Sequence, residues 1–265
     1  MSETLPTFFI SHGGGPWPWI DDMRAMFAGS ARWLSELPQT LGSRPKAVLS
    51  VSGHWEAAEF TVGTAPHPPM MYDYFGFPEH TYHIKYAAPG SPAVAARVQE
   101  LLTSAGIRSS ADAQRGYDHG TFVPLSLMYP EADVPVVQLS LKQTLDPLEH
   151  LRMGAALKPL RDEGVLIIGS GLSYHNMAGF RGGGGPTSVT FEKWLTSAVT
   201  DTDIATRAHR LAHWTEAPLA RAAHPREDHL IPLMVAVGAA GNDTGHRDFL
   251  DNAMGVAMSS YRFGR

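Results

Sequence analysis

Three stretches of this chain share one design, and together they constrain the fold more than anything else in it. Thr7-Phe8-Phe9-Ile10-Ser11-His12, Ala47-Val48-Leu49-Ser50-Val51-Ser52-Gly53-His54 and Val165-Leu166-Ile167-Ile168-Gly169-Ser170-Gly171-Leu172-Ser173-Tyr174-His175 each run from an apolar segment to a histidine. From Phe8 to Ile10 the run is continuously apolar rather than alternating, the pattern of a strand covered on both faces of a parallel sheet. Helical periods alternate with these strands over the first two thirds of the chain. The expected fold is therefore α/β, one domain over residues 1–265, with a central, largely parallel or mixed sheet flanked by helices. In such sheets ligands gather at the carboxyl ends of the strands, where all three histidines lie, so a shared metal site is expected there.

The elements between the strands are legible to different degrees. Asp21-Asp22 reads as the cap of a helix to about Leu37, with Met23, Met26, Phe27 and Leu34 on its buried side and Pro38 closing it. Residues 46–52 read as the second strand. Residues 59–90 are rich in proline and aromatics, and serve either as a lid or pocket wall or as an excursion outside the sheet. Ser91 and Pro92 open a helix that Gly106 ends. Residues 115–122 read as a polar turn carrying His119. A third strand is expected over 134–141, after which Asp146 caps a helix to about Glu163, interrupted near Pro159. Gly182–Gly185 reads as a flexible loop, and the remainder as mainly helical, over 189–197, 203–214, 218–222 and 230–240.

The chain has no cysteine, so a metal must be held by histidine and oxygen ligands. Its net charge of -5 leaves no basic footprint for nucleic acid or an anionic membrane. The start Met1-Ser2-Glu3-Thr4 lacks the basic and apolar regions of a signal peptide, and no apolar run reaches the ~20 residues of a membrane span, so a cytoplasmic location is expected. Histidine is abundant, with 13 copies. His229, beside Glu227 and Asp228 at an expected helix start, is a fourth candidate ligand. Glu56 is a carboxylate candidate, with a solvated charge as its plainer reading. His67, His80, His83, His150, His209, His213 and His246 have surface or packing roles. A histidine-rich mononuclear centre suits iron, zinc, copper or nickel, and leaves oxygen chemistry and hydrolysis both open.

One ordered set of motifs narrows this. Ser11-His12-Gly13-Gly14-Gly15-Pro16, Ser52-Gly53-His54-Trp55-Glu56, Tyr117-Asp118-His119-Gly120, Gly169 to Asn176, His224-Pro225-Arg226-Glu227-Asp228-His229 and the ending Ser260 to Gly264 resemble the 4,5-DOPA dioxygenase branch of the class III extradiol ring-cleavage dioxygenases, relatives of the catalytic subunit of protocatechuate 4,5-dioxygenase. The resemblance covers nearly the whole chain. It implies a non-haem metal at His12, His54 and His229, with Fe(II) expected for activity and Zn(II) as another occupant. It implies His175 as acid/base or a further ligand, and His119 as a second, substrate-contacting or supporting group. Trp17, Tyr72, Tyr74 and Tyr261 are expected in the pocket wall, and Gly14 where a flat ring approaches. The implied partners are O2 and a small catechol, DOPA-like, dihydroxyphenylacetate-like or caffeate-like, opened to a muconic semialdehyde; a homodimer is admissible. The rival readings are a zinc hydrolase and a non-enzymatic binding protein on the same scaffold.

Overall fold

The three apolar runs become neighbouring strands. A computed structural model describes residues 4–265, so the acidic start Met1-Ser2-Glu3 lies outside the described residues. The strands are β1 (Thr7–Ser11), β2 (Ala47–Ala57), β3 (Phe60–Gly63), β4 (Ser109–Asp112), β5 (Val136–Lys142), β6 (Val165–Gly171), β7 (Gly245–Asp251) and β8 (Met258–Phe263). They form one eight-stranded sheet in the order β4-β3-β5-β2-β6-β1-β8-β7. The four central strands are parallel, with Ala47 opposite Val165 and Thr7 opposite Ile167. Antiparallel contacts join β3 to β5 on one side, and β8 to β1 and β7 to β8 on the other, so the sheet is mixed. Phe8, Phe9, Ile10, Val48, Leu49, Leu166 and Ile167 are all fully buried. Each contributes roughly 1.5–3 kcal/mol by leaving water, which is why the central strands lack alternation.

Burial on all sides also explains the helix Ile231–Ala240, which is apolar around its whole circumference. It lies between the sheet and the helix Pro147–Leu157. The two helices approach through glycines: a Cβ on Gly154 would stand 2.2 Å from the Val235 carbonyl oxygen, and one on Gly238 would stand 2.2 Å from that of Leu151. This tight packing fixes the start of the helix, and with it His229, over the end of β6.

Several expectations change at this level. The helix expected from Asp21 to Leu37 is two, Asp21–Met26 and Ala28–Glu36, broken at Phe27, whose φ of -99° and ψ of 23° leave the helical region. Ile20, not an aspartate, occupies the cap, and Met26 is exposed. The second strand runs to Ala57, past His54. The segment 59–90 contains β3 and a 3-10 turn at Glu79–His83. The expected polar turn begins the helix His119–Met128, capped by the Asp118 side chain, which accepts from the Thr121 amide at 3.1 Å. Most of that helix is buried, so its sequence carries no amphipathic period. Asp146 and Ser91 do cap their helices. The strand expected over 134–141 spans Val136–Lys142, with Pro135 just before it. Gly185 opens the helix Gly185–Val199 rather than sitting in a loop. The helical remainder stops at Ala240, and the chain closes on β7 and β8. No helix among the described residues is long and apolar enough to cross a membrane.

Candidate metal centre

His12 leaves the end of β1 with its backbone still in the ladder, its amide donating to the Gly171 carbonyl at 3.0 Å. Trp17 Nε1 then donates to the His12 carbonyl at 2.8 Å, holding the turn down. That turn needs Gly13, at φ +81°, because a Cβ there would meet Trp17 Nε1 at 2.5 Å. His54 lies where the pairing of β2 with β5 slips between Val51 and Glu56. Such an irregularity re-aims a side chain that a regular pleat would send elsewhere. His229 is delivered by the loop before Ile231–Ala240, its carbonyl accepting from the Leu172 amide at 3.0 Å. Gly171 permits this approach, since a Cβ there would lie 2.0 Å from the His229 oxygen. Three separate elements thus bring ring nitrogens of His12, His54 and His229 within 4.8 Å of one another.

Two carboxylates orient this cluster. Asp228 Oδ2 lies 2.9 Å from His229 Nδ1, and Asp73 Oδ2 lies 3.4 Å from His54 Nδ1. An ionised carboxylate only accepts hydrogen bonds, so His229 carries its proton on Nδ1 and presents a lone pair at Nε2, while the Asp73 charge favours the same tautomer in His54. Those two Nε2 atoms face each other at 3.1 Å. Both ring nitrogens of His12 are buried with no hydrogen-bond partner. Burial, helped by the neighbouring imidazoles, holds His12 well below the ordinary histidine range; burial does the same to His229, against the pull of Asp228. His54 is lowered to about 4, again chiefly by burial. Burial would raise Asp73, but its hydrogen bond with His119 and the charges of His119 and His54 outweigh this and bring it down to about 2. Asp228 is likewise lowered against its burial, by His175 and His229. Three neutral imidazoles with converging, unsatisfied lone pairs fit a first-row transition metal, and without one they carry a desolvation cost.

The same aspartates reach two further histidines. His119 donates its backbone amide to Asp73 Oδ1 at 2.9 Å and places Nδ1 2.8 Å from the same oxygen. Its ring is centred 3.9 Å from that of His54. His175 stacks on His229 with centroids 3.6 Å apart, its Nδ1 3.8 Å from Asp228 Oδ1. Each aspartate therefore hydrogen-bonds one histidine and lies within 4 Å of another. These groups make two further candidate ligand sets, His54 with Asp73 and His119, and His175 with Asp228 and His229. Asp73 escaped the sequence reading because it sits in irregular chain; its one signal is an acid between two tyrosines in a loop too long to be idle. Glu56 is no ligand here: it forms a bidentate pair with Arg226 at 2.5 and 2.6 Å. Among the other histidines, His80 bonds the Trp19 carbonyl, and His209 and His213 stack on each other. His150 and His224 are fully buried and bonded to backbone.

The cluster floors a cavity of ≈ 420 Å³ that His12, His54, His119, His175, His229, Gly14 and Tyr74 help to line. Three expected wall residues are elsewhere. Trp17 is fully buried, under Gly13. Tyr72 turns away, with its hydroxyl donating to the Ile84 carbonyl at 2.5 Å. Tyr261 is inside β8, its hydroxyl 2.9 Å from Thr196 Oγ1. All three are aromatics that packing claims before the cavity does. Phe27, Phe77, Phe180 and Met258 line it instead, and none carries a local sequence signal of that role.

Comparison with known proteins finds chains similar to this one over most of its length. The chain is 41% identical over 259 residues to a 4,5-DOPA dioxygenase extradiol of Beta vulgaris, covering 96% of this chain and 94% of that one. It is 36% identical over 280 residues to the dioxygenase tasH of Hapsidospora irregularis, covering 98% of this chain and 85% of that one. A crystal structure of an uncharacterized protein from Escherichia coli K12 superposes with a TM-score of 0.79 at 29% identity, covering 98% of this chain and 100% of the other. The family model described as the catalytic LigB subunit of aromatic ring-opening dioxygenase matches residues 6–264. With that match spanning the whole sheet and every histidine of the cluster, this chain belongs to the family of the catalytic LigB subunit of aromatic ring-opening dioxygenases.

Proposed function

We propose that this protein is an Fe(II)-dependent extradiol dioxygenase that opens the ring of a small substituted catechol with O2, giving a muconic semialdehyde. The observation that carries the reading is the convergence of His12, His54 and the His229 Nε2 on one point at the floor of an aromatic-lined cavity. Bound there, Fe(II) would draw catechol and O2 together and let electron density pass between them. The protein's own part is to place and protonate. His12, His54 and His229 hold the metal as neutral donors, with Asp73 and Asp228 fixing two of the rings. The Gly13–Gly15 turn keeps one side of the cluster uncrowded, since a Cβ on Gly14 would meet nothing within 4 Å. His175 lines the cavity with Nδ1 turned toward Asp228, which leaves Nε2 to take a catechol proton and return it as the ring opens. His119, locked by two contacts to Asp73, is the supporting group on the opposite side.

The test is anaerobic loading with Fe(II), then catechol, then air. The expected result is O2 uptake stoichiometric with catechol and a yellow ring-opened product. No uptake across a catechol panel, in protein shown to hold Fe(II), overturns the reading, and turnover retained with Zn(II) in the absence of O2 supports the hydrolase instead. His175→Ala is expected to keep the metal and lose turnover; loss of the metal would make His175 a ligand.

A further inference from the structure

The histidine floor accounts for the diol end of a catechol, and the rest of the cavity wall bears on what the ring carries. Phe27, Leu172 and Met258 form its buried part, with exposures of 1%, 4% and 3%. Phe75, Met177 and Met254 stand at its mouth, 90%, 59% and 41% exposed. Single exposed apolar side chains are ordinary, but three grouped around one cavity mouth make an apolar patch of the kind that marks contact with an apolar ligand. Among the described residues no lysine, arginine, aspartate, glutamate, serine, threonine, asparagine or glutamine lines the cavity. The one wall hydroxyl, on Tyr74, is already committed to the Thr81 carbonyl at 2.6 Å. Apart from the histidine floor, the wall has nothing to offer a charge. Behind that floor the carboxylates Asp73 and Asp228 already face histidines, and Asp228 also faces Arg226 at 3.6 Å.

From this the geometry points to a substrate whose ring substituent is uncharged and apolar, an alkyl- or arylcatechol, gripped by Phe77, Met177 and Met254. The inference rests on the ring-cleavage reading and narrows it. A catechol amino acid, or a catechol bearing a carboxylate arm, brings charge into a wall that cannot pair it, and an unpaired charge leaving water is heavily penalised. An apolar arm meets thioethers and phenyl rings, and methionine adapts its shape to irregular apolar ligands.

The experiment uses the Fe(II)-loaded protein and four catechols matched in ring chemistry: catechol, 4-propylcatechol, 3-(3,4-dihydroxyphenyl)propionate and DOPA. O2 uptake is expected to give kcat/KM for 4-propylcatechol roughly a hundredfold above the two charged compounds. In Met177→Arg, which adds a cation at an exposed rim position, the propionate is expected to gain about tenfold relative to 4-propylcatechol. Equal kcat/KM for the propyl and charged compounds overturns the inference while leaving ring cleavage intact. An unchanged ratio in Met177→Arg overturns the proposed grip at the rim. If no compound is consumed, ring cleavage itself fails. Calorimetric binding of the same set to the metal-loaded protein then decides the inference by itself, with tighter binding of 4-propylcatechol expected and equal affinities overturning it.

Discussion

At the scale of single residues, two aspartates sit among four of the five clustered histidines, and His12 has no such partner. Asp73 hydrogen-bonds His119 and lies 3.4 Å from His54, while Asp228 hydrogen-bonds His229 and lies 3.8 Å from His175, so each carboxylate sets the tautomer of one ring and stands charged beside a second. Outer carboxylates of this kind contribute about 10–100-fold to metal affinity. Asp73→Ala and Asp228→Ala are therefore expected to weaken Co(II) or Fe(II) binding by about that factor, with Asp→Asn intermediate, in an anaerobic metal titration. Unchanged affinity in the alanine variants would leave the carboxylates a space-filling role only. Gly14 makes a contrasting prediction, because it is exposed and its missing Cβ faces open cavity. Gly14→Leu is expected to raise the KM for catechol about tenfold, a loss of uniform binding, while metal affinity stays unchanged. Equal loss of both would return the glycine to a purely structural turn.

At the scale of elements, the helix His119–Met128 is bound to the site through its cap. Asp118 is fully buried and accepts from Ser52 Oγ, Gln138 Nε2 and Arg115 Nη2 at 2.8, 2.9 and 3.1 Å as well as from the Thr121 amide. Ser52 Oγ in turn accepts from the His54 amide at 3.1 Å. One carboxylate thus joins a helix start, two strands and the backbone of a ligand candidate. Asp118→Ala leaves Arg115 without its carboxylate and removes the cap, and is expected to lower stability by about 3 kcal/mol in urea unfolding. A change below about 0.5 kcal/mol would show that the network contributes nothing net. The contact between Pro147–Leu157 and Ile231–Ala240 is equally specific. Gly154→Val places side-chain atoms against the Val235 backbone, which cannot yield as a side chain can. A loss of about 3 kcal/mol or failure to fold is expected, and near-neutral stability would contradict the packing described here.

At the scale of the whole molecule, stability is coupled to pH through histidines buried away from the cluster. His150 and His224 are fully buried, and burial chiefly lowers each to about 4. His150 uses both nitrogens in its neutral form, Nε2 accepting from the Lys142 amide at 3.1 Å and Nδ1 donating to the Asp146 carbonyl at 2.7 Å. Their folded pKa values are depressed below the ordinary 6.5, so the unfolded chain takes up protons first as pH falls. The stability they contribute is intact above about pH 6.5 and is lost progressively toward pH 4. At pH 5 the loss is about 2 kcal/mol for each group. Metal-free protein is expected to unfold at lower urea concentration at pH 5 than at pH 7, and His150→Gln to show a shallower dependence. Identical slopes in the two proteins would mean that His150 is protonated without cost in the folded state.

The sequence by itself determined what depends on local pattern. Continuous apolar runs at 8–10, 47–49 and 165–168 suit strands covered on both faces, and that placed three histidines toward the carboxyl ends of β1, β2 and β6, among helices. Side-chain caps at Ser91 and Asp146 were legible for the same reason, since the bond each makes spans three residues. Tertiary structure decided whatever depends on residues distant in the chain. The slip of β2 against β5 aims His54, and glycine contacts between two helices set His229. Asp73 reaches His54 and His119 from irregular chain that no periodicity describes, and Trp17 and Tyr261 were drawn into the core and Tyr72 packed against it, although all three were expected in the wall. The apolar wall itself gathers Phe27, Phe77, Phe180 and Met254 from four separate segments. Packing selects among many equivalent apolar residues by position in space, and local sequence holds no record of that choice.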